Sequence, residues 1–248
     1  MEREIGLLVQ WLRDRRAEAG MRGLLVGVSG GIDSAVVASL ISRAAGENSL
    51  GVILACSNSS EDLEDARLVC RTIGLPHLEY DLLEARDSIF PGILDKLPGS
   101  PAIREEYRRI ADANLRARLR MSSLYTLANA LGYLVVGTDN AAEVYTGYFT
   151  KYGDGGVDLL PLSQFTKREV RALGSLLGVP ERVILKDPTA GLWAGQTDEG
   201  EMGVTYQEID DLLEGKPIGE QARERIEHLH RVTEHKRRLA AAYQREGR

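Results

Sequence analysis

Apolar residues fall along this chain in two rhythms. Ile5, Leu8, Val9 and Leu12 recur at helical intervals and predict an amphipathic helix over residues 2–19, ended by Gly20 and Gly23, with Trp11 as a core side chain. The run Gly23-Leu24-Leu25-Val26-Gly27-Val28 has no such period and reads as a strand buried on both faces, as in parallel sheets. Residues 29–34 predict a turn and residues 35–45 a helix of small and apolar side chains. The unit then repeats. Residues 50–55 predict a second strand. A helix follows from a Ser59 or Ser60 cap to about Ile73, with Glu61, Asp62 and Glu64 suited to its positive end. Residues 77–80 predict a third strand, 82–90 a helix ending at Pro91-Gly92, 96–101 a loop, 102–131 a long helix, and 133–136 a fourth strand.

Beyond Gly137 the texture changes. Residues 147–158 hold four glycines and predict a functional loop, 167–177 a helix, and 187–203, with Pro188 and four more glycines, a mobile lid. From about residue 205 to the end the pattern is helical and highly charged. Strands alternating with helices predict the α/β class: a doubly wound, Rossmann-like parallel sheet. Residues 1–248 read as one domain with a helical C-terminal region. Ligands on such sheets sit beyond the carboxyl ends of the strands.

Composition narrows the function classes. The 31 basic and 37 acidic residues give a net charge of −6, which disfavours broad contact with nucleic acid or an anionic membrane. Cys56 and Cys70 form neither a CxxC pair nor a metal-ligating quartet and read as packing residues. No run approaches a membrane span, and the first residues carry no stretch of signal-peptide length. The expected setting is the cytoplasm.

The strongest local signal is Ser29-Gly30-Gly31-Ile32-Asp33-Ser34, between the first strand and its helix. Its two glycines permit positive φ, so that backbone N–H groups converge on an anion beside a helix N-terminus. Asp33 beside a phosphate makes sense with a divalent cation between them. A plain tight turn remains open. A nucleophile elbow, matched by Gly27-Val28-Ser29-Gly30-Gly31, needs a histidine on a loop after a strand, whereas His228, His230 and His235 lie in a charged helical region. Neither the Walker A nor the dinucleotide-binding glycine pattern is present. The segment resembles the SGGxDS signature of the ATP-pyrophosphatase (PP-loop) enzymes, which adenylate an oxygen and release pyrophosphate.

Four further blocks discriminate. Asn114-Leu115-Arg116-Ala117-Arg118-Leu119-Arg120 lies on the long helix, where Arg118 and Arg120 point to roughly opposite sides; alone, it also fits a solvated face. Gly137-Thr138-Asp139-Asn140-Ala141-Ala142-Glu143 follows the fourth strand. Its Glu143 could join Asp33 on a metal, or Thr138 or Asp139 could simply cap a helix. The segment 147–158 joins three aromatics, Lys151, Asp154 and Asp158, a set suited to a nucleotide-like ligand. The last block runs from Pro188 to Tyr206.

In this order the blocks resemble the ammonia-dependent NAD synthetases, from about Gly23 to Lys236. The resemblance implies a homodimer that amidates deamido-NAD with ATP and ammonia through an acyl-adenylate. It implies ATP on Gly27, Val28, Ser29, Gly30, Gly31, Ile32, Asp33 and Ser34, and on Arg120, Thr138, Lys167 and Thr189. Magnesium would sit on Asp33 and Glu143. Asn114, Arg118, Tyr148, Phe149, Lys151, Asp154, Asp158, His235 and Lys236 would contact deamido-NAD. Asp33, Glu143 and Lys167 would carry catalysis, with Asp154 as a candidate proton acceptor. The chain departs from the family pattern at Leu54, at Ser60 or Glu61, and at Ala240, and offers no room for a glutamine-hydrolysing domain. The rivals are another PP-loop enzyme, such as a tRNA-thiolating or GMP-synthetase-type protein, and a nucleotide-binding module without catalysis.

Overall fold

The apolar runs become strands where a second layer can cover both faces. In the computed structural model, which describes residues 1–56, 59–99, 102–188, 197–243 and 245, the strands are β1 (Gly23–Gly27), β2 (Ser49–Ala55), β3 (His77–Asp81) and β4 (Tyr133–Val135). All neighbours are parallel, in the order β3-β2-β1-β4. β1 shows why a continuous apolar run was needed. Leu24 and Val26 point to one layer and Leu25 to the other, as the two-residue period requires.

The first layer packs α1 (Glu2–Glu18), α2 (Ile32–Ala45), α3 (Ser60–Ile73) and α7 (Lys167–Leu177) around Leu12, Leu40, Ile41 and Leu173. The second sets α5 (Glu105–Leu131) on the opposite face, with Leu124 and Ala128 against Leu25, Val52 and Val135. α4 (Leu83–Leu94) packs beside it. A third cluster lies apart: Ala142, Met202, Tyr206, Ile209 and Ile226 join α6 (Ala141–Thr146), α9 (Asp198–Met202), α10 (Tyr206–Leu213) and α11 (Glu220–Val232). A short α8 (Glu181–Ile184) completes the helices among the described residues. β1 is flanked by β2 and β4, so the chain leaves it in opposite directions and a crevice opens at its carboxyl end. No described helix is long and apolar enough to cross a membrane.

Four expectations are corrected. α2 begins at Ile32, not 35, because Gly31 takes the N-cap conformation (φ −89°, ψ 161°) and Ile32-Asp33-Ser34 become the first turn. α4 continues past Pro91, whose carbonyl accepts from Asp95 N at 2.9 Å; one missing donor does not stop the following turn. Trp11 is 36% exposed, beside the stripe of Leu8 and Leu12 rather than on it. Past a short turn at Glu234–Lys236, residues 239–243 hold no helix and Leu239 and Tyr243 lie open, because a polar helix without a packed face is not sustained.

Candidate active site

The turn after β1 is built by its own side chains. Ser34 Oγ donates to Gly31 O at 2.9 Å and accepts from Ser29 N at 3.2 Å, while Ser29 Oγ accepts from Gly31 N at 3.3 Å. Of the two glycines, only Gly30 uses positive φ (+89°). A Cβ there would lie 2.4 Å from Asp62 O, so the loop also needs glycine for its close approach to α3. Gly31 has no side-chain cap to offer, so the first N–H groups of α2 face the crevice with the dipole behind them.

Three elements distant in sequence meet at this turn. Asp33 Oδ2 accepts from Lys167 Nζ at 2.5 Å, and Asp33 Oδ1 accepts from Asn140 Nδ2 at 2.9 Å. Lys167 Nζ also lies 3.4 Å from Glu143 Oε1. Asn140 is the true N-cap of α6: its Oδ1 accepts from Ala142 N and Glu143 N, and Glu143 Oε2 accepts from Asn140 N at 3.1 Å. Neither Thr138 nor Asp139 performs that role. Burial works against the Lys167 ammonium, but Asp33 and Glu143 more than offset it and hold its pKa above the ordinary lysine range. Burial pushes the Glu143 carboxyl up to about 7, with Lys167 pulling it back.

Behind Glu143 stands a second polar chain, which sequence reasoning missed. The Tyr206 hydroxyl touches Glu143 and Asp198, and the Tyr148 hydroxyl lies 3.1 Å from Asp198 and 2.6 Å from Glu201. Lys167 Nζ sits 4.6 Å from the centre of the Tyr206 ring. Tyr206 stands in the sequence only as the end of the last block, and nothing in the spacing announces its partners. Lys186 was also missed. It donates to Asp62 at 2.8 Å and to Asp65 at 2.7 Å, tying the segment after α8 to α3 beside Gly30.

A cavity of about 440 Å³ runs from the turn across the carboxyl ends of the strands, within the ordinary range for ligand sites. Near its start it is lined by Gly27, Val28, Ser29, Gly31, Ile32, Asp33 and Ser34, with Thr138, Glu143 and Lys167. Farther along come Asn114, Arg120, Tyr148, Phe149, Asp154 and Lys236. Arg120 Nε donates to Leu54 O at 3.0 Å. Asn114 accepts from Thr150 Oγ1 at 2.7 Å, and Asp154 accepts from Thr150 N at 2.9 Å. Lys236 Nζ donates to Gly147 O and Phe149 O. Asp139, read from the sequence only as a possible helix cap, lines the same cavity.

Five of the expected positions, Gly30, Arg118, Lys151, Asp158 and His235, do not line it. Arg118 donates to Lys151 O at 3.3 Å, and Lys151 Nζ donates to the carbonyls of His235 and Arg238. Asp158 is held against β4, accepting from Val135 N at 2.8 Å and Tyr125 OH at 3.0 Å. Thr189 and residues 190–196 of the expected lid lie outside the described residues, and the described end of that segment holds α9.

The donor set fits magnesium bound together with a nucleotide. Among the described residues no three acidic, histidine or cysteine side chains gather to hold a metal alone. Asp33 and Glu143 bring two carboxylates together, and phosphate oxygens would complete the shell, the usual arrangement for this ion.

The NAD synthase family model matches residues 4–240. The NH3-dependent NAD+ synthetase of Alkaliphilus oremlandii is 52% identical over 239 residues, covering 96% of each chain. An NMN synthetase from Francisella tularensis shares the fold with a TM-score of 0.90 at 40% identity, covering 98% of each chain. An NAD+ synthetase from Burkholderia pseudomallei gives a TM-score of 0.79 at 33% identity, covering 95% of this chain and 89% of its own.

Proposed function

The chain belongs to the NAD synthase family, and from that membership we propose that it amidates deamido-NAD with ATP and free ammonia, releasing NAD, AMP and pyrophosphate. The observation that carries this reading at the site is the meeting of Asp33, Lys167 and Glu143 at the open N-terminus of α2. The carboxylate of the acid substrate is itself the nucleophile, so no catalytic serine is needed. What the protein supplies is position and charge.

The α2 N–H groups and the Ser29 and Ser34 hydroxyls hold the ATP phosphates, with Thr138, Thr189 and Arg120 around the nucleotide. The nicotinate carboxylate attacks the α-phosphorus and pyrophosphate leaves. Magnesium on Asp33 and Glu143, when bound, supplies positive charge at the phosphates. Lys167 stays protonated between its carboxylates and is directed toward the leaving pyrophosphate. Ammonia then attacks the adenylated carbonyl and displaces AMP. Asn114, Tyr148, Phe149, Asp154 and Lys236 serve the acid substrate within the cavity. Arg118, Lys151, Asp158 and His235 are proposed to meet it across a homodimer interface. One domain, acting in the cytoplasm, belongs to the same proposal.

A second reading follows from the likeness to an NMN synthetase. The same chemistry on nicotinate mononucleotide would yield NMN. One assay separates the two: pure protein, ATP, magnesium and ammonium with either acid, following AMP and the amide product. NAD formed from deamido-NAD with stoichiometric AMP supports the first reading. Turnover confined to the mononucleotide replaces it with the second. No ATP consumption with either acid rejects both.

A further inference from the structure

We propose that Asp139 holds the ammonium ion for the second half-reaction and takes a proton from it, with Asp154 as the facing carboxylate. The inference rests on the amidation reading above and assigns a residue that the reading leaves unused.

Asp139 is 5% exposed and lines the cavity, yet no described residue donates a hydrogen bond to its carboxylate. Asn140 has taken the capping role that would have occupied it. The charged groups that act on it are Asp154, Glu143 and Asp33, all acidic. Of the lysines nearby, Lys167 is held by Asp33 and Glu143, and Lys236, which donates to two backbone carbonyls, acts on Asp154. Burial and these acidic neighbours push the Asp139 carboxyl well above the ordinary aspartate range, so its ionised form is favoured only with a cation beside it. The partner of that form is a cation. A second metal ion would need more oxygens, and no described cluster of three acids offers them. A small ion with its own N–H donors suits Asp139 and Asp154, which both line the cavity and whose charges act on one another. Asp154 accepts from Thr150 N with one oxygen and is open to the cavity.

The stoichiometry suits this placement. Ammonium gives one proton to Asp139, and its freed lone pair forms the C–N bond to the acyl carbon. The C–O bond to the adenylate breaks, and its electron pair leaves with AMP. The nitrogen then sheds a second proton, which Asp154 receives. Two protons leave the nitrogen and two carboxylates face it.

Asp139→Asn keeps the shape and removes the charge, and Asp139→Ser serves should the first variant not fold. Pyrophosphate released from ATP and the acid substrate without ammonium reads the first half-reaction. The expected result is an unchanged pyrophosphate burst, a KM for ammonium raised roughly 10- to 100-fold, and near-normal turnover when hydroxylamine, already neutral at pH 8, replaces ammonium. An unchanged KM for ammonium overturns the inference. So does a burst lost together with amidation, which would put Asp139 on the nucleotide or metal side. A wild-type protein that gives no burst and no amide refutes the amidation reading itself.

Discussion

The Tyr206 hydroxyl lies 3.0 Å from Glu143 Oε1 and 3.0 Å from Asp198 Oδ2. One phenol proton thus serves two carboxylates, and the side chain behind it is buried in the cluster that joins α6, α9 and α10. The arrangement ties the orientation of Glu143 to α9, the first helix after the last sequence block's undescribed stretch. Tyr206→Phe keeps the packing and removes that tie. A charge-assisted hydrogen bond is worth about 1.5–3 kcal/mol of stability, so the melting temperature should fall by several degrees, and with Glu143 no longer tied to α9 kcat should fall roughly 10-fold or more. A lower melting temperature with kcat unchanged would make Tyr206 a structural residue only.

Lys167 is 2% exposed and is the cation held directly against both Asp33 and Glu143 among the described residues. Lys167→Met preserves length and burial but leaves two carboxylates facing one another. Adenylation, read as pyrophosphate release, should drop at least ~100-fold, in keeping with the loss of one preorganised charge. Asp33→Asn and Glu143→Gln should each lower turnover at least ~100-fold. Near-normal rates in either carboxylate variant would remove that residue from the proposed magnesium site.

β1 and β2 were legible because a strand covered on both faces must be apolar throughout, as residues 23–28 are. The strand–turn–helix unit at residues 23–45 was legible because two glycines between an apolar run and a helical stretch mark a tight turn. Its details were not. Gly31 has an ordinary negative φ and serves as N-cap, so α2 starts three residues early. Asp139 and Asn140 both carry a side-chain oxygen that can cap a helix, and only the packed backbone shows that Asn140 does so. Asp33 and Lys167 are 134 residues apart, beyond any periodicity, and in the sequence only the family resemblance links them. The partners of Lys151 are backbone carbonyls near the C-terminus, which no side-chain pattern announces.

Gly30→Ala places a Cβ at positive φ and 2.4 Å from Asp62 O. The backbone strain alone costs about 1–3 kcal/mol, and the clash is with backbone that cannot rotate away. The variant should melt several degrees lower and bind ATP more weakly, because relief of the clash must move the turn. Calorimetric melting together with ATP titration checks both. Unaltered ATP affinity would show that the turn does not hold the nucleotide.

Asp112 joins α5 to α4: its Oδ1 accepts from Arg86 Nε at 2.6 Å and its Oδ2 from Arg116 at 2.8 Å, with Asp112 and Arg116 both buried. Burial alone would raise its carboxyl, but the two guanidinium groups overcome that and hold the pKa below the usual aspartate value of 3.8. A depressed carboxyl contributes stability above its unfolded pKa and loses it as pH falls through the folded one. Asp112→Asn should therefore cost about 3 kcal/mol at pH 7, the scale for breaking a buried pair. The same gap should persist at pH 5. As pH falls below the ordinary aspartate value the unfolded chain takes up the proton first, so the gap should narrow, and it should close once pH has passed the lowered folded pKa. Urea unfolding of both proteins at pH 7, 5, 3.5 and 2.5 measures it, and a gap that stays constant to pH 2.5 would mean that Asp112 acts through its shape and not its charge.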